Sequence, residues 1–278
     1  MKYTEVTFEL NPLIPAREVL VAELADLGFD SFVETETGIQ AYIPSSEFSE
    51  NLLKALMTSD MEDQKIAWTI VEMPDQNWNA EWEKNFEPII VDDKCLIRAP
   101  FHKDLPAYEL EIEIEPKMSF GTGHHATTYL IVAELMSMEL NGLSVLDMGS
   151  GTGVLAIAAE KRGAAACDAI DIDEWAFENA TENCLRNQCK YIHCVLGGAE
   201  VIPDQKYYDL ILANINRNIL MRDLPVYDHH LRAGSEILLS GFYAYDKTDL
   251  HGQATTLGWQ LIGEKTRNEW CMLRYRKN

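Results

Sequence analysis

The stretch from Val145 to Asp173, VLDMGSGTGVLAIAAEKRGAAACDAIDID, restricts the possible folds of this chain more than any other segment. Val145 and Leu146 read as the end of a buried parallel strand. Gly149, Gly151 and Gly153 read as a tight turn whose backbone can approach a ligand without hindrance from a Cβ. Val154 to Arg162 has the composition of a helix, with Gly163 as its stop signal, and Ala169 to Asp173 supplies a second strand. The unit is therefore a βαβ crossover, which implies a parallel sheet covered by helices. Asp171, 22 positions after Gly149, falls at the tip of the second strand. A carboxylate there is placed to accept the paired hydroxyls of a ribose.

The glycine spacing narrows the cofactor. Dinucleotide folds use G-x-G-x-x-G, with a pyrophosphate at the helix N-terminus. Here the order is Asp147-x-Gly149-x-Gly151-x-Gly153. An acid two residues before the first glycine would repel a pyrophosphate, but it suits a ligand that carries an amino group and a sulfonium. The expected ligand is S-adenosylmethionine. A dinucleotide site and a glycine-rich turn without any ligand are the alternatives.

Bulk properties set the outer limits. A chain of 278 residues can bury a substantial core and hold two domains, and 47% apolar with 24% charged residues is ordinary for a globular protein. No apolar run approaches the roughly 20 residues that span a bilayer, and MKYTEVTFEL lacks a signal-peptide core. The expected location is the cytoplasm, with no membrane contact. Six cysteines (Cys95, Cys167, Cys184, Cys189, Cys194 and Cys271) form no C-x-x-C pair and are expected as reduced thiols without a metal. The 45 acids and 23 bases leave a net charge of −22, which repels nucleic acid and favours a basic protein partner.

Residues 1–75 read as a small separate α+β domain. Tyr3 to Leu10 alternates as a strand, Ala16 to Leu27 has helical periodicity, and Ser31 to Thr35 and Ile39 to Ile43 are short strands. A second helix capped by Ser45 or Ser46 runs through Met57, and Ile66 to Glu72 is the last strand. The order βαββαβ suggests a ferredoxin-like module, a scaffold that often binds partners without naming one. It is the candidate substrate-recognition domain, its acidic face being either a docking surface for a basic protein or simply a solvated one. Up to Lys65 it holds 13 acids and 4 bases. Residues 76–88 read as a linker helix, with Trp78 and Trp82 on one face. Residues 89–278 begin with a strand pair, Ile89 to Ala99 and Tyr108 to Glu115. Seven core strands then follow at Ser144–Met148, Cys167–Ile172, Tyr191–Leu196, Asp209–Ile215, Glu236–Gly241, Gln260–Lys265 and Trp270–Tyr275.

Two further segments point to a family. Before the glycine turn stands Phe120-Gly121-Thr122-Gly123-His124-His125-Ala126-Thr127-Thr128, and after the fourth core strand stands Ala213-Asn214-Ile215-Asn216-Arg217. With WNAEWEKNFEPI and the small N-terminal domain, they resemble the PrmA family of class I methyltransferases, which act on ribosomal protein L11. The likeness covers the chain after about Asn77, and before that only domain size and order match. The resemblance implies a doubly wound, Rossmann-like core, mostly parallel with a C-terminal antiparallel strand. It places cofactor contacts at Thr128, Gly149, Asp171 and Asn214, with Phe120, Gly151 and Ile172 lining the same pocket. It also implies methylation of lysine ε-amines, with N-terminal α-amines as further acceptors, on L11. The acidic surface separately suggests that L11 is met free, before RNA surrounds it. Another protein or small-molecule amine as acceptor, or a non-catalytic module that binds S-adenosylmethionine, stays open at this point.

Some positions depart from the family pattern. His124 stands where the family often has Thr, and Thr152 where Ser is usual. Asn214-Ile215-Asn216-Arg217 is not the N-P-P-Y of glutamine methyltransferases, which weakens an amide-nitrogen acceptor and leaves amines open. For an amine, Asn214 is the candidate for positioning the nucleophile, because a neutral acceptor orients a lone pair without stabilising the ammonium as a carboxylate would.

Overall fold

A computed structural model describes residues 2–14, 16–54, 56, 65–73, 86–117 and 120–278. The chain divides into two compact units, Met1–Asn85 and Phe86–Asn278. Trp78, Trp82 and most of the expected linker helix lie outside the described residues, and 86–88 form no helix.

The first unit contains β1 (Tyr3–Asn11), α1 (Ala16–Asp26), β2 (Ser31–Glu34), β3 (Gly38–Pro44), α2 (Glu50–Leu53) and β4 (Lys65–Glu72). The sheet order β2-β3-β1-β4, with every pair antiparallel, is that of a ferredoxin-like fold. β1 alternates strictly, with Val6, Phe8 and Leu10 buried against Leu20 and Leu24 of α1. The second helix starts later than the sequence suggests. Its cap is Ser49, whose hydroxyl accepts from the Asn51 amide at 3.3 Å. Ser45 instead shares a hydrogen bond with Thr4 at 3.0 Å, so its hydroxyl ties the strands together and is not available as a cap.

The second unit opens with three strands where the sequence suggests two: β5 (Ile89–Val91), β6 (Cys95–Arg98) and β7 (Leu110–Glu113). Asp92 and Asp93 both have positive φ, 47° and 55°, which breaks the first expected strand into a tight hairpin. After α3 (Ala126–Leu135) come β8 (Ser144–Met148), α4 (Val154–Lys161), β9 (Ala166–Asp171), α5 (Glu174–Arg186), β10 (Ile192–Leu196), β11 (Tyr208–Asn214) and α6 (Arg217–His229). The unit ends with β12 (Leu231–Tyr243), α7 (Lys247–Thr256), β13 (Trp259–Arg267) and β14 (Trp270–Lys277).

The seven-stranded order is β10-β9-β8-β11-β12-β14-β13, parallel except where β14 runs antiparallel between β12 and β13. One face is covered by α3 and α4 through Leu130, Ile131, Leu155 and Ala158, and the other by α6 and α7 through Leu220, Leu224, Tyr227 and Leu250. The sheet is thus doubly wound. The order in which strands are added reverses between β8 and β11, and such a switch point opens a crevice at the carboxyl ends of the strands.

α5 also secures the edge of β7. Asn183 accepts from the Glu115 amide at 2.8 Å, and Asn187 both accepts from the Glu113 amide at 3.0 Å and donates to its carbonyl at 2.6 Å. Side-chain amides four residues apart therefore satisfy backbone groups that a further strand would otherwise pair.

Candidate functional site

The crevice at the switch point is a cavity of about 690 Å³. β8 leads into it through Met148 and Gly149, β9 through Asp171, and β11 through Asn214. Gly197 and Gly198 follow β10, and Gly241 interrupts β12.

Missing Cβ atoms shape the glycine turn. At Gly149 (φ +71°) a Cβ would lie 2.1 Å from Cγ2 of Ile215, and at Gly151 (φ +54°) 2.2 Å from the carbonyl oxygen of Phe120. The turn therefore receives the Ile215 side chain on one side and the Phe120–Gly121 backbone on the other. The Thr152 amide donates to the Phe120 carbonyl at 2.9 Å, and its hydroxyl to the Gly121 carbonyl at 2.7 Å. The Phe120-Gly121-Thr122-Gly123 segment and the glycine turn are thus one hydrogen-bonded assembly, although about 30 residues separate them in sequence.

Asp171 sits at the tip of β9. Its Oδ2 accepts from the Gly151 amide at 2.8 Å and its Oδ1 from the Asp173 amide at 3.0 Å. Each oxygen keeps lone-pair capacity beyond its backbone partner, which a vicinal diol can use. Across the switch point, the Asn214 amide nitrogen donates to the Thr128 hydroxyl at 3.4 Å. Thr128 is fully buried behind Asn214, so it orients the amide rather than forming cavity wall. Asn214 is 8% exposed, and its Oδ1 has no hydrogen-bond partner among the described residues. A buried amide oxygen without a partner is costly, and an N–H donor from a ligand would offset that cost.

Of the residues expected from sequence, Phe120, Gly149, Gly151, Asp171, Ile172 and Asn214 line the cavity, and Thr128 touches Asn214 from behind. Asp147 departs from expectation. It is fully buried beneath the turn, where Oδ2 accepts from the Ala156 amide at 3.0 Å and Oδ1 is unpaired. The motif's acid therefore holds the start of α4 and does not face the cavity. Burial, with the nearby Asp171 adding to it, pushes its carboxyl up to about 7 despite the Ala156 hydrogen bond.

Several wall residues were not anticipated. His125 caps α3 through its side chain and packs edge-on against Trp270, with ring centres 4.5 Å apart. Burial lowers its pKa, which favours the neutral ring. Phe120 lies 5.1 Å from the His125 ring, and Trp270 stacks on Tyr243 at 4.1 Å. Trp175, 75% exposed, and Ile172, 79% exposed, form a separate apolar rim beside Asp171. Trp270 is nearly 100 residues from Asp171 in sequence, and only the insertion of β14 next to β12 brings it to the wall. The Gly197-Gly198 pair after β10 was the one legible signal among these.

The six cysteines are free, and no group of three or more metal-binding side chains occurs among the described residues. No helix among them is long and apolar enough to cross a membrane.

Comparison with known proteins agrees with this geometry. The family model for ribosomal protein L11 methyltransferase (PrmA) matches residues 6–278. Proteins named ribosomal protein L11 methyltransferase from Phocaeicola vulgatus and Chlorobaculum parvum are 46% and 36% identical. The alignments cover 99% of both chains in the first case, and 96% of this chain and 94% of the relative in the second. The likeness thus includes the N-terminal unit, which the sequence motifs did not reach. The crystal structure of a ribosomal protein L11 methylase from Lactobacillus delbrueckii subsp. bulgaricus covers 69% of this chain and 100% of its own, with TM-score 0.64 and 26% identity. A methyltransferase from Pyrococcus furiosus, 21% identical, shares the fold, with TM-score 0.51 over 60% of this chain and 89% of its own.

Proposed function

Because the chain belongs to the ribosomal protein L11 methyltransferase family, we propose that its cavity aligns an amine of L11 for methylation, with Asn214 orienting the nucleophile and Asp171 holding the methyl donor's ribose. The enzyme is a protein methyltransferase that uses S-adenosylmethionine and acts on L11. The acceptors in this reading are lysine ε-amines and the N-terminal α-amine of the free protein.

The residues present fit that donor. The cavity offers a diol acceptor in Asp171, an apolar rim in Ile172 and Trp175, and a buried, unsatisfied acceptor in Asn214. When bound, S-adenosylmethionine supplies an electrophilic methyl group on a sulfonium. The protein's share of the work is alignment, desolvation and orientation of the neutral amine, whose proton departs to water once the N–C bond has formed and the S–C bond has broken. A lysine has a pKa near 10.4, so presenting it neutral at pH 7 costs about 4.6 kcal/mol at roughly 1.36 kcal/mol per unit. Asn214 Oδ1 can accept an N–H and direct the lone pair without the ammonium preference that a carboxylate would impose. Thr128 fixes the amide so that this oxygen, not the nitrogen, is left for the substrate. Phe120, His125 and Trp270 supply an apolar wall that limits water.

The observation that carries this reading is the buried, unpartnered Oδ1 of Asn214 in a cavity that also contains Asp171. The test is incubation with labelled S-adenosylmethionine and either free L11 or assembled large subunits, followed by mapping of the label. Labelling at lysine and N-terminal amines of the free protein is expected. A stronger signal on assembled subunits would reverse the order of events, and label on other side chains would remove the amine assignment.

A further inference from the structure

Cys184, near the end of α5, and Cys194, in the middle of β10, bring their sulfurs within 3.9 Å of each other. β10 is the edge strand of the large sheet, and Cys194 is partly exposed, whereas Cys184 is buried. With the Cys184 thiol donating to it, charge on Cys194 is stabilised, which lowers the Cys194 pKa against the effect of burial. Cys189 lies between the two elements. Burial, reinforced by Glu160, pushes its thiol up to about 12, which leaves it the poorer nucleophile.

We propose that Cys184 and Cys194 form a peroxide-responsive dithiol whose closure to a disulfide weakens S-adenosylmethionine binding. The Cys194 thiolate attacks one oxygen of hydrogen peroxide, the O–O bond breaks, and the departing hydroxide takes up a proton to leave as water. Cys194 is then a sulfenic acid. The Cys184 sulfur attacks the Cys194 sulfur, the S–O bond breaks, and the hydroxyl leaves as a second water with the Cys184 proton. Two thiols lose two electrons and two protons in total, and the peroxide becomes two waters.

The fold carries this change to the cavity. A disulfide needs an S–S separation of about 2.05 Å, so the 3.9 Å gap between the side chains of α5 and β10 has to close and the two elements become covalently tied. Asn183, adjacent to Cys184, donates to the Thr152 carbonyl in the glycine turn at 3.0 Å. α5 also supplies Trp175 and Ala176 to the wall. β10 runs directly into Gly197, whose amide donates to the Asp171 carbonyl at 2.8 Å. Both elements that close on the sulfurs therefore hold parts of the wall around Asp171. This coupling rests on the cavity being the S-adenosylmethionine site, whereas the dithiol chemistry does not.

The experiment treats the reduced full chain with hydrogen peroxide, alkylates remaining thiols and maps linkages by mass spectrometry, with affinity for S-adenosylmethionine measured by calorimetry before and after. A Cys184–Cys194 linkage is expected, with Kd raised about tenfold, a modest fraction of the loss that a 1 Å misplacement can produce, and restored by dithiothreitol. Cys189→Ser keeps the response and Cys194→Ser abolishes it. Absence of that linkage, an unchanged Kd in the linked protein, or an undiminished response in Cys194→Ser would overturn the proposal. Failure of the reduced protein to bind S-adenosylmethionine would overturn the cavity reading and the coupling, while the linkage map still decides the dithiol.

Discussion

At the scale of single residues, Asp171 and Asn214 have different surroundings and so fail differently when replaced. Asp171 meets the cavity with a charged acceptor, and a hydrogen bond to a charged group contributes about 1.5–3 kcal/mol, or roughly 10–100-fold in affinity. Asp171→Ala is expected to raise the Kd for S-adenosylmethionine by that factor in calorimetry, and an unchanged Kd would falsify the ribose assignment. Asn214→Ala removes the neutral acceptor and is expected to lower kcat at saturating cofactor by about tenfold or more. Undiminished turnover would exclude Asn214 from positioning the amine. Asp147 makes a separate, pH-dependent prediction. Its folded pKa of about 7 lies above its ordinary 3.8, so between these values the folded state binds more protons than the unfolded state. Stability from this group is complete below about pH 4 and is lost as pH rises toward and through 7. Asp147→Asn removes that loss, so its melting temperature relative to wild type should rise from pH 4.5 to pH 8 by more than about 3 °C, the shift for roughly 1 kcal/mol in a domain of this size. A constant difference across that range would mean that the carboxyl titrates normally.

At the scale of elements, the glycine turn was legible as a tight strand-to-helix turn lining a crevice, but its packing partners were not. The sequence shows that a Cβ is unwelcome at positions 149 and 151. The structure shows that the space at 149 belongs to the Ile215 side chain and that at 151 to the Phe120 carbonyl. A side-chain obstacle can be removed by a second mutation, and a backbone obstacle cannot. Gly149→Ala and Gly151→Ala are both expected to abolish measurable cofactor binding. Adding Ile215→Ala should return binding to the Gly149→Ala protein to within about tenfold of wild type, because the cost of positive φ that remains for alanine is only about 1–2 kcal/mol. No rescue would mean that the ligand, not Ile215, occupies that space. The same distinction explains what sequence reading missed elsewhere. All seven core strands were recoverable from sequence; the central parallel ones, β8, β9 and β11, read as apolar runs because strands buried on both faces are written locally. The hairpin at Asp92 and Asp93 was not, since two aspartates in the left-handed region interrupt a run that otherwise reads as one strand. Asp147 shows the opposite limit: its motif was recognised, yet whether it points to the ligand or to the Ala156 amide depends on packing that no spacing encodes.

At the scale of the whole molecule, charge is the property that composition states most directly, and it bears on the acceptor rather than the donor. The 45 acids against 23 bases give −22, and residues 1–65 contribute 13 acids and 4 bases. In the proposed reading, the unpaired amide oxygen of Asn214 and Asp171 act at contact distance inside the cavity, where salt has little influence. Attraction between an acidic enzyme and a basic protein acts over a Debye length, which falls from about 10 Å at 0.1 M to about 3 Å at 1 M ionic strength. Screening should therefore separate the two binding events. Raising sodium chloride from 0.1 to 0.5 M is expected to increase KM for free L11 at least about fivefold, while kcat and the Kd for S-adenosylmethionine change less than about twofold. Both quantities are read in one series of initial-rate and calorimetric measurements. An unchanged KM would place recognition of the acceptor in short-range, salt-insensitive contacts and reduce the charge excess to a contribution to solubility. A parallel rise in the cofactor Kd would instead show that salt acts on the cavity itself, against the enclosed geometry of Asn214.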